Sequence, residues 1–115
     1  MQYVDGCVIP VPTASRQRYL DHARIAATVF KEHGALRVVD CWGDAVPDGK
    51  MTSFPMAVKR ESHETVVFSW IVWPSREVRD AGMAKVMTDA RLQSVDMPFD
   101  GKRMIFGGFE MMLEV

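Results

Sequence analysis

The sequence lacks most of the features that would assign a function directly. No apolar run approaches the roughly 18 residues that a membrane span requires, and the first residues show neither the basic nor the apolar region of a signal peptide. Cysteine is scarce, since Cys7 and Cys41 are too few for a disulfide framework. These absences argue against a membrane protein and favour a cytoplasmic location.

Motifs for metals and phosphates are also missing. The three histidines, His22, His33 and His63, show no zinc-like spacing, and there is no P-loop or G-x-G-x-x-G. The pair Gly107-Gly108 lies inside an apolar, strand-like run, so it predicts a bulge or a close contact instead of a phosphate cradle. We therefore expect neither a metal nor a cofactor.

Charge of neither sign dominates. Fourteen Lys plus Arg residues face fifteen Asp plus Glu residues, for a net charge of −1. A nucleic-acid protein would usually be basic, and so would a polybasic membrane-surface protein. With 115 residues and 48% hydrophobic content, the chain is predicted to form one soluble domain over 1–115.

Apolar periodicity and turn residues predict four strands and two main helices. The strands are expected at 3–11, 35–42, 64–73 and 104–115, and the helices at about 15–33 and 76–89. We expect Thr13 or Ser15 to cap the first helix, Gly34 to follow it, and Ser75 to cap the second. The order β-α-β-β-α-β predicts an α+β, ferredoxin-like fold with an antiparallel sheet. Its third strand is expected between the first and second, and its fourth on the far side of the first.

The predicted strands are apolar on both faces, which a sheet open to water on one side would not be. The third strand places Val66, Phe68, Trp70 and Val72 on one face, and Val67, Ile71 and Trp73 on the other. Helices can cover only one of these faces. We therefore predict a homodimer whose sheets pack face to face into a dimeric α/β barrel.

Two further segments carry open interpretations. The long connection 44–64 holds an apolar centre and a basic end, so 53–60 is either a lid with an anion-binding rim or a loop packed over the sheet edge. The segment 91–97 is ambiguous and is compatible with one more helical turn.

Charged residues in apolar strands are the first candidates for catalysis. Asp5, Asp40 and Glu110 would act as a general base or orient a ligand. Their alternative role is an ion pair with Arg37 or Arg103, or contact with water. His33 is either an acid–base group or a residue that only ends a helix.

An aromatic pocket is the second candidate. Its predicted ligand-binding residues are Trp42, Phe54, Phe68, Trp70, Arg76 and Phe106. The alternative is that these aromatic side chains fill the core and a dimer interface. We expect His22 and His63 to be solvated, and the two cysteines to be unpaired, because their strands are not neighbours in the predicted sheet.

Several segments resemble a known family. They are 1–6, Glu32-His33-Gly34-Ala35-Leu36, Thr52-Ser53-Phe54-Pro55, the run from Lys59 through 64–70, and 97–109. Together they are similar to the YbaA-like domain-of-unknown-function family of small uncharacterised bacterial proteins. The resemblance spans essentially the whole chain and implies a dimeric α/β barrel, but no established reaction.

The sequence is compatible with three functions. A small-molecule binding protein would show a pocket between the sheet and its helices. A cofactor-independent oxygenase or isomerase would show a carboxylate or histidine beside an aromatic cavity. A non-catalytic dimeric interaction module would show a filled core without a pocket.

Overall fold

The computed structural model describes residues 1–93 and 96–115. Four strands and four helices follow one another in this described part of the chain: Tyr3–Pro12 (β1), Arg16–Glu32 (α1), Arg37–Trp42 (β2), Phe54–Ala57 (α2), Glu64–Trp73 (β3), Arg76–Met87 (α3), Ala90–Gln93 (α4) and Ile105–Glu110 (β4). A short 3-10 turn, Thr13–Ser15, joins β1 to α1. The two predicted main helices and all four strands are therefore present.

The strands form one antiparallel sheet in the order β2-β3-β1-β4. This order is the predicted one, and it confirms the ferredoxin-like α+β fold. Because β3 lies between β1 and β2, Cys7 and Cys41 are not on neighbouring strands, and both are free thiols.

Two hydrophobic clusters lie on the sheet face that α1 and α3 cover. One contains Ile9, Val11 and Tyr19, and the other contains Tyr3 and Trp73. We call this the helix face, and the opposite side the open face. No helix among residues 1–93 and 96–115 is long and apolar enough to cross a membrane.

The helix ends match the predictions in part. Ser75 caps α3, since its hydroxyl accepts a hydrogen bond from the Val78 amide at 3.2 Å. Gly34 follows α1 with φ of +113°, a conformation that glycine adopts readily. The predicted capping of α1 is wrong: Ser15 makes no side-chain cap bond, and the Thr13 hydroxyl bonds that of Thr65.

The last strand is shorter than predicted, because regular pairing with β1 ends where Tyr3 opposes Glu110. Gly107-Gly108 makes no bulge, since both residues pair in register with β1. The predicted alternative, a close contact, is observed, because a Cβ on Gly108 would clash with the Tyr3 side chain. In the ambiguous segment 91–97, the residues up to Gln93 are helical and belong to α4. Residues 94–95 lie outside the described residues.

Candidate functional site

A row of polar side chains crosses the helix face of the sheet. The pairing register places Asp40 of β2 opposite Ser69 of β3, and Ser69 opposite Cys7 of β1. Cα partners share a face, so the three side chains lie side by side under α1. We call these residues, together with Tyr19 above them, the polar row. A band of this kind in an otherwise apolar layer is a candidate site.

Tyr19 connects α1 to the polar row. Its hydroxyl donates to Asp40 Oδ1 at 2.6 Å, and only 6% of the residue is exposed. Burial and the Asp40 carboxylate raise the pKa of Tyr19 far above its usual value. Tyr19 therefore stays protonated and acts as a fixed hydrogen-bond donor to Asp40.

Cys7 lies in the row without becoming a nucleophile. Burial, with help from the nearby Asp40 and Asp5 carboxylates, raises the pKa of the Cys7 thiol, although a hydrogen bond with Ser69 opposes this. The thiolate is the reactive form of cysteine. The raised pKa favours the less reactive thiol form of this half-buried, unpaired cysteine.

His22 stands one helical turn beyond Tyr19 and is not simply solvated, so that prediction is wrong. Its ring contacts Phe99 edge-on, with centroids 6.3 Å apart, and its Nδ1 is buried without a hydrogen-bond partner among the described residues. Burial lowers the pKa of His22, while the charge of Asp40 opposes that shift. The spacing of Tyr19 and His22 at i and i+3 is the sequence signal that would have placed both on one helix face.

Asp5 is next to the row on β1 but has a structural role. Arg79 of α3 binds its carboxylate through two nitrogens, Nη2 at 2.8 Å and Nε at 3.0 Å, and the Trp73 indole donates to it at 2.9 Å. For Asp5, the alternative of an ion pair with Arg37 or Arg103 is therefore wrong in its partner. The sequence does not show that Arg79 of α3 reaches β1. The hydrogen bonds to Asp5 raise the pKa of Arg79, so its guanidinium stays charged.

The other two catalytic candidates lie outside the polar row. His33 ends α1, about 20 Å along the helix from Tyr19, where its Nε2 lies 3.2 Å from Asp89. Asp89 is also held by Arg91, and those hydrogen bonds lower the Asp89 pKa. Glu110 is exposed at the end of edge strand β4. Only Asp40 of the predicted residues contacts a second titratable group of the row.

A cavity of about 200 Å³ lies at the edge of the sheet beside α2. We call it the α2 cavity. It is lined by Cys41, Trp42, Gly43, Asp44, Val46, Phe54, Val66 and Phe68. Three predicted ligand-binding residues, Trp42, Phe54 and Phe68, therefore lie together. Asp44 is the single charged residue of this lining.

Aromatic rings continue from the α2 cavity onto the open face. Phe54 lies 5.9 Å from Phe68, which in turn meets Trp70 edge-on at 5.5 Å. The other two predicted ligand residues do not join them. Arg76 pairs with Asp80 on the exposed surface of α3, and Phe106 is on β4, two strands away from β3. Both are too distant in the fold to line this cavity.

The segment 53–60 forms a fixed wall and not a detached lid. Ser53 caps α2 by accepting from the Met56 amide at 3.1 Å, and Pro55 and Val58 are buried. Its basic end is also engaged, since Arg60 donates to the Glu64 carbonyl at 2.8 Å. The structure thus matches the alternative of a loop packed over the sheet edge. Across the described part of the chain, no group of three or more His, Cys, Asp or Glu residues could hold a metal ion.

Comparison with known proteins assigns this chain to a family. A family model described as "Protein of unknown function (DUF1428)" matches residues 2–101. Relatives from Escherichia coli K12 and Shigella flexneri, each called "Uncharacterized protein YbaA", are 56% identical over 116 residues, covering 99% of both chains.

A crystal structure of a NIPSNAP family protein from Agrobacterium tumefaciens shares the fold. Its TM-score is 0.56 at 14% sequence identity, with 97% of this chain and 94% of that chain covered. An identity this low shows the fold alone. The family match and the relatives confirm the resemblance found in the sequence: this chain belongs to the DUF1428 family of proteins of unknown function.

Proposed function

We propose that this protein is a homodimer that binds a small, largely apolar molecule in the α2 cavity of each subunit. The observation that carries the proposal is the continuity of apolar surface from the cavity across the open face. The face is lined by Val4, Val8, Val39, Phe68, Trp70, Ile105 and Phe109. Phe68 belongs to both, and it is 42% exposed in the single chain.

The open face suits a second copy of this chain. Among its strand residues, charge is confined to the two ends: Arg37 begins β2, and Glu64, which begins β3, is already buried against Arg103. Monomeric proteins rarely leave a contiguous apolar patch of this extent in water. A twofold pairing buries the same apolar patch on both subunits at once.

The cavity supports the ligand-binding part of the proposal, although it differs from the expected place. The sequence predicts a pocket between the sheet and its helices, whereas the α2 cavity is at the sheet edge and borders the open face through Cys41 and Phe68. A filled interaction module would have no such space.

The absence of metal and disulfide features also favours a cytoplasmic location, which fractionation of cells expressing the protein would test.

A cavity-filling substitution tests this function. Val46 lines the α2 cavity, while its neighbour Ala45 is exposed and does not line it. With indole as the probe, we expect saturable shifts of the Val46 and Val66 methyl signals in NMR spectra of the wild type. Val66 should lose its response in Val46→Phe and keep it in Ala45→Phe. A wild-type spectrum unmoved by indole would contradict this binding site.

A cofactor-independent enzyme, oxygenase or isomerase, is the second candidate, and the polar row favours it. The Asp40 carboxylate, held by Tyr19 at 2.6 Å, would accept a proton from the carbon next to a carbonyl and return it to the same substrate at another atom. An isomerisation of this kind needs no added oxidant or reductant.

Deuterium exchange tests the enzyme candidate without a known substrate. Phenylpyruvate in deuterated buffer is one enolisable probe, and its exchange can be followed by NMR. The wild type should accelerate exchange, Asp40→Asn should lose the acceleration, and His33→Asn should keep it because His33 lies outside the row. Equal acceleration by wild type and Asp40→Asn would reject the role of Asp40.

A further inference from the structure

We infer that ligand binding in the α2 cavity and dimerisation through the open face strengthen each other, with Phe68 as the shared residue. The inference rests on the proposed function and adds to it the class of ligand and its regulatory effect. The ligand class is a small neutral aromatic molecule of one or two rings.

The size and lining of the α2 cavity define that ligand class. Its volume is about 200 Å³, and an apolar cavity of about 150 Å³ is known to hold benzene. Phe54 and Phe68 offer ring faces and edges at 5.9 Å from each other, a spacing at which aromatic groups pack favourably. With Asp44 as the single charge and no cation in the lining, the site does not suit an anion.

Phe68 lies where the α2 cavity meets the open face, so it can contact both a ligand and a second copy of the chain. Phe68 lines the cavity and also meets Trp70 edge-on on the open face, and 42% of the residue is exposed in the single chain. A ligand that packs against Phe68 from the cavity restricts the rotation of its ring. Dimerisation then costs less conformational entropy, because the ring is already ordered. The cavity also borders the open face through Cys41, so a second copy covers part of a bound ligand.

Thermodynamic linkage makes this coupling reciprocal. If saturating ligand lowers the dimer dissociation constant by some factor, the dimer must bind the ligand more tightly than the monomer does. With one cavity per subunit, that factor equals the product of the increases in affinity at the two sites. Coupling between sites commonly amounts to about fivefold or more. We expect the coupling to be positive because a second copy on the open face would cover part of a bound ligand, so that ligand and second copy would pack against each other and against Phe68.

Sedimentation equilibrium with and without saturating indole tests the coupling. We expect indole to lower the dimer dissociation constant of the wild type by about fivefold or more. The Val46→Phe variant, whose cavity is filled, should show the same dimer constant in both conditions. An NMR titration of indole at protein concentrations below and above the dimer constant should show the matching change in indole affinity.

The outcomes separate this inference from the function on which it rests. Indole that shifts the cavity methyl signals but leaves the dimer constant unchanged, or raises it, overturns the coupling and leaves the binding site in place. Indole that shifts no signal overturns the ligand class and the cavity site together. A wild type that stays monomeric at every concentration, with indole bound, overturns the dimer and therefore the coupling.

Discussion

Glu64 shows how a single residue can tie distant parts of this chain together. Its side chain is 3% exposed and accepts from Arg103 Nη2 at 2.6 Å, Arg103 Nη1 at 2.7 Å and the Glu61 amide at 2.7 Å. Arg103 also donates to the Lys59 carbonyl. These bonds fasten the turn before β4 to the start of β3. They lower the pKa of Glu64, Arg103 being the largest cause.

We expect Glu64→Gln to lower the free energy of unfolding by about 3 kcal/mol, because it leaves the Arg103 charge without its buried partner. Since the folded-state pKa of Glu64 lies below its unfolded value, the carboxylate stabilises the fold fully above pH of about 4.3 and progressively less as pH falls below it. Urea unfolding of both proteins at neutral and acidic pH measures this.

Arg76→Gln is the matched control for Glu64→Gln, because the Arg76–Asp80 pair is exposed on α3. Exposed pairs contribute little to stability, so this variant should unfold like the wild type. A Glu64→Gln protein as stable as Arg76→Gln, or with an unchanged acid limb, would show that the buried pair does not hold the turn to the sheet.

Candidate residues were predictable to different degrees. Asp40 stands out in the sequence as a charge in an apolar strand, and the structure gives it Tyr19 as a partner. The partner of Asp5 was not predictable, because Arg79 is 74 residues away and reaches it only through the packing of α3 on the sheet. His22 was misjudged because its burial depends on Phe99, a residue of an irregular segment without a periodic pattern.

At the scale of secondary-structure elements, the sequence predicts the same kind of N-terminal cap for α1 and α3, but only α3 has one. Ser75 and Ser15 both precede a helix, yet only Ser75 accepts from a helical amide. The 3-10 turn before α1 changes the direction of the Ser15 backbone, whose φ and ψ are −98° and 16°. An N-cap residue usually has an extended backbone, as Ser75 has with −159° and 168°.

Alanine substitutions at these two serines test that distinction. Ser75→Ala should lower the free energy of unfolding by about 1 kcal/mol, since one amide at the start of α3 loses its partner. Ser15→Ala should stay within about 0.5 kcal/mol of the wild type. Thermal and urea unfolding provide the values, and equal losses in both variants would contradict the assigned caps.

Sequence periodicity predicted the strands and main helices well because each has a continuous apolar stripe. Apart from Glu64 and Ser69, strand β3 consists of β-branched and aromatic residues, and its predicted bounds, 64–73, are those observed. Strand β4 was predicted too long, since Met111, Met112 and Leu113 continue its apolar pattern past the point where β1 can pair with it. The apolar pattern in the sequence indicates which residues are hydrophobic. The length of β4, however, is limited by β1, whose pairing with β4 ends at Tyr3.

At the scale of the whole molecule, the single chain is flatter than a compact domain. Its extents are 38 × 36 × 22 Å and its radius of gyration is 14.6 Å, against about 13 Å for a compact chain of this length. Strand β4 is the most exposed part of the sheet, with Phe106 and Phe109 at 78% and 62% exposure. A second sheet packed on the open face would bury Phe109 and make the assembly thicker.

The homodimer is the central claim, and a pair of substitutions on β4 isolates it. Phe109 faces the open side, opposite Val4, whereas Phe106 is on the helix face, opposite Cys7. Both side chains are already exposed in the single chain, so a lysine at either position should leave the subunit folded. Circular dichroism would verify this for Phe109→Lys and Phe106→Lys.

Sedimentation equilibrium at micromolar concentration then decides the matter. We expect the wild type and Phe106→Lys to have twice the 13.0 kDa mass of one chain, and Phe109→Lys to have the mass of one chain, because a charge would lie buried in the paired faces. A wild type that sediments at 13.0 kDa, or a Phe109→Lys protein that still dimerises like the wild type, would contradict pairing through the open face.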